Sequence, residues 1–267
     1  MFSNNNVLLI ENDLGNITNI GINRSIEILK KYIKKYKISS QTAILKNNTI
    51  EKKLFYNLIN IYNNIQDERI FIGGDHSSAI ATISKIYYPG MKIIWIDAHP
   101  DINTYKESIS KNYHGMPLAV LTGLDRILNS ALFDIKIPFS DILYIGIRSI
   151  DDFERKIIEE KNIKFIDSNL TNYKEIIKDF LGNNKFHISF DVDSIVPYDM
   201  PCTGTRVENG ITRDKMRELM DYLLVFKPNS LDIVEINLTL GSYYQYHKSI
   251  ATLFYVFENY NIFSTNI

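Results

Sequence analysis

The chain has 267 residues, 45% of them hydrophobic and 23% charged, enough apolar material for the core of one α/β domain over residues 1–267. A formal net charge of -1 gives no electrostatic footprint for nucleic acid or for an anionic membrane. Cys202 is the single cysteine, so an internal disulfide is excluded and a reducing, cytoplasmic location is expected. No apolar run reaches membrane-spanning length, and the opening residues lack the basic and apolar regions of a signal peptide.

Taken in order, apolar runs predict strands over 7–10, 41–45, 69–72, 93–96, 143–147, 164–166, 186–190 and 230–236. Between them, helical spacing predicts helices over 22–36, 51–62, 79–87, 152–161, 213–226 and 243–258. The first of these has a lysine-rich face, which reads as a solvated surface. Strands alternating with helices imply βαβ units and a mostly parallel sheet covered on both faces, a three-layer α/β/α architecture. No Pro/Gly/Ser-rich linker divides the chain, and no internal repeat is evident.

The residues with chemistry to offer follow these apolar runs. Ile93-Ile94-Trp95-Ile96 leads into Asp97, His99 and Asp101 on alternate residues. In an extended backbone every second side chain points the same way, so all three can converge. Carboxylate oxygens beside an imidazole suit a divalent ion such as Mn²⁺ or Zn²⁺, although the pattern D-x-H-x-D also occurs in plain surface loops. His76 follows the strand over 69–72 after Gly73-Gly74, which lets the chain turn tightly, and Asp75 is placed to hold its imidazole from behind. Asp191 and Asp193 leave the strand over 186–190, where their mutual repulsion calls for a cation between them. Glu235 ends the strand over 230–236. Ligands of open parallel sheets bind outside the carboxyl ends of the strands, so these groups collect on one rim. Two histidines and four aspartates exceed the needs of one tetrahedral ion and suit two ions sharing carboxylates.

In the same order, GGDHS (73–77), DAHPDIN (97–103), HGMPLA (114–119), SFDVD (189–193) and DIVEIN (232–237) resemble the signatures of the ureohydrolase family, the arginases and agmatinases, and most closely those of arginases. The resemblance runs from Phe71 to the end of the chain. It implies the arginase-like fold and a centre of two Mn²⁺ per subunit. One ion would sit on His76, Asp97, Asp101 and Asp191, the other on His99, Asp97, Asp191 and Asp193. It also implies attack of a metal-bridging hydroxide on a guanidinium carbon, giving urea and an amine, with Asp101 handling the proton. His114 resembles the histidine that shuttles protons at the mouth of the site. Glu235 resembles the carboxylate that holds the guanidinium, and Thr205 the hydroxyl that orients it. Asn103 and Ser110 resemble contacts to the α-carboxylate of L-arginine, and Asp151 the residue that meets its α-amino group, with Glu154 assisting. These favour arginine over agmatine or another guanidino compound.

By the same resemblance the protein is a homo-oligomer, a trimer or hexamer. A non-enzymatic relative and a single-zinc deacetylase of related architecture are the other readings. Three departures concern entrance loops and contacts rather than ligands. A Gly-Pro-rich loop near the start is missing and the region before Phe71 is shortened, Val196 replaces an aspartate, and Glu208-Asn209-Gly210 replaces a glycine pair. His187 and His247 read as structural.

Overall fold

The structure, a computed structural model of the chain, describes residues 6–16, 21–41, 48–128 and 131–263. Its strands are β1 Val7–Ile10, β2 Tyr36–Ser39, β3 Ile70–Ile72, β4 Lys92–Ile96, β5 Ile142–Ile145, β6 Lys164–Ile166, β7 Phe186–Asp191 and β8 Ser230–Val234. All pair in parallel in one sheet of order β2-β1-β3-β8-β7-β4-β5-β6. The alternation of side chains along each strand divides the core into two layers. Val7, Leu9, Ile94 and Ile96 face one way, beneath helices α1 Ile22–Leu29, α6 Tyr173–Leu181, α7 Arg213–Val225 and α8 Tyr243–Val256. Leu8, Ile10, Ile93 and Trp95 face the other way, beneath α2 Ile50–Asn64, α3 Ala79–Ile86, α4 Pro117–Leu121 and α5 Asp152–Glu160. Apolar residues on both sides of the central strands are what a sheet covered twice requires.

The first helix is shorter than its spacing predicts. It ends at Leu29, a 3-10 turn covers Lys30–Tyr32, and Ile33 takes extended dihedrals. The lysine-rich stretch then forms β2, an edge strand that pairs with β1 and sends Lys37 to the buried Glu68 at 2.6 Å. Pairing with an open strand edge has overridden local helix propensity. Of the strand expected over 41–45, Gln41 is not in a strand and the rest lies outside the described residues. Helices α4 and α6 were not foreseen.

β3, β8, β7 and β4 are neighbours, and their register brings their ends level. Ile72 pairs with Ile233, Asp191 with Val234, and Ile96 with Phe190. The chain therefore leaves these strands at one rim, just before His76, Asp97, Asp193 and Glu235. Two residues there, Asp101 (φ 50) and Glu235 (φ 62), hold left-handed backbone that costs a non-glycine residue energy.

Candidate metal centre

His76 opens a 3-10 turn directly after β3 and is fully buried. Its Nδ1 faces one oxygen each of Asp97, Asp101 and Asp191, at 2.9, 3.0 and 3.3 Å, without making a hydrogen bond to any of them. On the far side of the ring Nε2 lies 2.9 Å from Ser189 Oγ, and the ring stacks on Trp95 with centroids 4.1 Å apart. Without a cation the three carboxylates favour the charged ring despite its burial, whereas a ring that kept its proton on Nε2, beside Ser189, would leave the Nδ1 lone pair for an ion. Asp75 does not hold this imidazole, contrary to expectation. Its carboxylate accepts from Gly15 N at 2.7 Å, Ser77 N at 3.0 Å and the Asn12 amide at 3.3 Å. The turn after Gly74 aims Asp75 into the loop following β1, and strand β7 supplies the serine instead.

The second group lies beside the first. His99 Nδ1 is 3.1 Å from Asp193 Oδ2 and 3.6 Å from Asp97 Oδ1. Asp97 therefore belongs to both triads, with Asp101 and His76 through one oxygen and with His99 and Asp193 through the other side. Asp191 reaches the first group through Oδ2, while its Oδ1 accepts Asp193 N at 2.8 Å. Asp97 thus spans both groups, and Asp191 stands against His76 on one side and Asp193 N on the other. Asp97 and Asp193 are fixed by further donors. Trp95 Nε1 gives to Asp97 at 3.1 Å, Ala98 N to Asp193 at 3.1 Å, and Thr205 Oγ1 to Asp193 at 2.9 Å.

The charges in this cluster compete. Burial pushes Asp191 well above the ordinary carboxylate range, and repulsion from Asp193 and Asp97 adds to it. Burial and the charge of Asp97 also raise Asp193, and they bring Asp101 to about 6. Burial acts the same way on Asp97, but the adjacent His76 and His99 rings outweigh it and hold that carboxyl low. For His99 burial favours the neutral ring, yet Asp193 and Asp97 prevail and raise it to about 12. Four buried carboxylates thus depend on two imidazoles for compensation, a role that divalent cations fill better. Mixed oxygen and nitrogen donors and the unpartnered buried Nδ1 of His76 both fit such ions.

A cleft opens onto this cluster. Asp101, Asn103, Ser110, His114, Asp151, Glu154 and Thr205 line it, with Ser108, Asn112 and Ser149 beside them. Glu235 is not in its wall. It is fully buried, with Oε1 accepting from His76 N at 2.9 Å and lying 3.2 Å from His114 Nδ1. Asn103 donates to Asp151 Oδ2 at 2.9 Å. Both oxygens of Glu154 are occupied by backbone, Ile102 N at 3.2 Å and Asp151 N at 3.0 Å. A second hollow between residues 33–35 and 261–263 lies far along the chain from these groups and carries no such donor set.

Sequence reasoning missed Trp95 and Ser189 as supports of His76. Strand parity could have found both, since Trp95 shares a face with Asp97 and Ser189 with Asp191. It missed Ser108 and Asn112 for want of any periodic signal in the loop before His114.

With the geometry in place, comparison with known proteins identifies what the chain is similar to. The family model described as "Arginase family" matches residues 13–254. The arginase of Entamoeba histolytica is 39% identical over 181 residues, 63% of this chain and 61% of that protein. The arginase of Staphylococcus aureus (strain MRSA252) is 37% identical over 180 residues, 63% of this chain and 60% of that one. The matched part of the chain thus spans about three fifths of the length of these curated relatives. The crystal structure of Entamoeba histolytica arginase in complex with L-ornithine superposes with a TM-score of 0.83 at 26% identity, covering 94% of this chain and 97% of that one.

Proposed function

The chain belongs to the arginase family, and from that premise we propose that it is an arginase, hydrolysing L-arginine to L-ornithine and urea with two Mn²⁺ bound per subunit. The family is metal-dependent, and the two His/Asp triads are groups that could hold metal. The observation that carries the two-ion reading is the position of Asp97, common to both triads, beside a buried imidazole nitrogen that no hydrogen bond satisfies.

His76, Asp97, Asp101 and Asp191 would hold one ion, and His99, Asp97, Asp191 and Asp193 the other. Ions held there would supply positive charge and lower the pKa of a bound water towards neutrality. The remaining work falls to side chains. Asp101 lines the cleft, where its carboxylate can take up the proton of the attacking water and pass it on. Burial opposes the charge on His114, but the Glu235 carboxylate outweighs it and raises the ring to about 9. His114 is then an imidazolium at neutral pH, able to give its proton to the departing amine as the C–N bond breaks. Glu235, ionised despite burial because His114 bonds to it, supplies the anionic charge for the substrate guanidinium. Thr205, bonded to Asp193, orients the same group.

Further along the cleft, Asn103 and Ser110 donate to the α-carboxylate and Asp151 accepts from the α-amino group. Glu154, which lines the same cleft and accepts from Asp151 N, assists. The reading also takes residues 1–267 as one domain of a cytoplasmic homo-oligomer, trimer or hexamer, which sedimentation velocity checks.

The deciding experiment is urea release from L-arginine and agmatine measured side by side, with elemental analysis of the same sample. Faster release from arginine and two manganese ions per chain is the expected result. Faster release from agmatine would move the substrate assignment. One zinc per chain with no urea from either compound would favour the deacetylase or the non-enzymatic relative.

A further inference from the structure

Arg148 follows β5, two residues past Gly146, and appears in neither triad. Its guanidinium is half-buried, and all five of its hydrogen bonds go to main-chain carbonyls. Nη2 donates to Asp193 O and to Val207 O, both at 2.8 Å, and Nε to Glu208 O at 2.8 Å. Nη1 reaches Gly146 O at 3.1 Å and Ser194 O at 3.5 Å. One side chain therefore ties the loop that carries Asp193 to the loop that follows Thr205.

The backbone of the same residue holds the opposite wall. Arg148 N and Ser149 N both donate to Ala98 O, at 2.9 and 3.0 Å, and Ala98 lies between Asp97 and His99. The two β4 and β7 loops that Arg148 joins are those that supply His99 and Asp193. The packing leaves no slack around the fork. A Cβ on Gly210 would lie 2.8 Å from Arg148 Nη2 and 2.8 Å from Ser194 O. Ile211 N also bonds Ser194 O at 2.9 Å, and Val196 N bonds Ile211 O at 3.0 Å, so residues 194–196 and 210–211 close the loop upon itself around the guanidinium.

We infer that Arg148 is a positioning residue for the second half of the centre, holding His99 and Asp193 at the spacing that an ion between them requires. This rests on the two-ion reading above. The hydrogen bonds of Arg148 reach neither His76 nor Asp101, so of the first triad only the shared Asp97 lies beside the loops it joins. Five donors in a rigid plane do this work, and the single ammonium of lysine cannot reach the same carbonyls together. If Arg148 acted only as a charge near the aspartates, lysine would serve equally, and a neutral side chain would bind cations more tightly.

The test titrates metal-free full-length protein with Mn²⁺, counting bound ions by equilibrium dialysis and elemental analysis. Trp95, the only tryptophan, stacks on His76 and so reports the first site by fluorescence. Wild type is expected to take up two ions. Arg148→Lys and Arg148→Met are both expected to keep the Trp95 response at unchanged metal concentration while the second ion binds about tenfold or more weakly, the range seen for outer-sphere partners of a metal. Gly210→Ala keeps the charge and displaces the fork, and it should show the same selective loss should the Arg148 variants fold poorly. Two ions bound with wild-type affinity in the lysine or alanine variant, or tighter binding in the methionine variant, would overturn the inference. A wild type that takes up fewer than two ions overturns the two-ion reading itself, and the role of Arg148 with it.

Discussion

Asp151 stands at the N-terminus of α5 in the cleft wall, bonded to Asn103 and a member of neither triad. Asp151→Ala should therefore raise KM for arginine by about tenfold to a hundredfold, the weight of a hydrogen bond to a charged group, while metal content stays at the wild-type level. Unchanged KM would remove Asp151 from the site. His114 allows a second prediction at this scale, made on metal-free protein. Burial lowers its pKa, but Glu235 prevails and raises it from the ordinary 6.5 to about 9. A histidine raised on folding stabilises the fold fully below its unfolded value and loses that contribution as pH climbs through the folded one. The melting temperature should therefore fall between pH 6.5 and 9 more steeply in wild type than in His114→Gln. Parallel slopes would show that the pair contributes nothing to stability. Residue identity made most of these groups legible in the sequence, because acids and histidines after apolar strands have few other reasons to cluster. Atomic pairing was not legible. Thr205 meets Asp193, and Glu235 meets His114 across 121 positions of chain.

Among the elements, the loop following β1 supports the site from outside the matching motifs. Gly15 N donates to Asp75 and Gly15 O accepts from His114 N at 3.1 Å, so this loop links the His76 turn to the His114 turn. A Cβ on Gly15 would lie 2.5 Å from Asp75 Oδ1 and 2.6 Å from Ser77 Oγ. Gly15→Ala should destabilise the protein by about 1–3 kcal/mol through this overpacking, read as a drop of several degrees in thermal unfolding. A melting temperature equal to wild type would mean that the loop can shift at no cost. The strands were readable from their apolar runs. The lysine-rich segment was not, because spacing alone cannot say that β1 would otherwise be left as an open edge.

For the whole molecule, an ion held by the four carboxylates at one rim would couple its uptake to folding. An ion that binds only the folded state adds about 2.7 kcal/mol at a hundred times its dissociation constant. In a chain of this size that is roughly 5–10 °C of melting temperature. Dialysis against a chelator should lower the transition by that order, and Mn²⁺ should restore it. A transition indifferent to chelator would argue that no ion binds the cluster.

The sequence by itself determined which residue types stand at the strand ends, and that six of them share a rim, since alternation along a strand and the exit from a parallel sheet are local consequences of backbone geometry. Only the tertiary structure decided the order of the strands and therefore who touches whom. Ser189, not Asp75, steadies His76; Asp97 lies in both triads; and Arg148 joins two loops whose neighbourhood no local pattern encodes. Such contacts depend on which strands lie side by side, and that is settled by packing the two apolar layers across the full length of the chain.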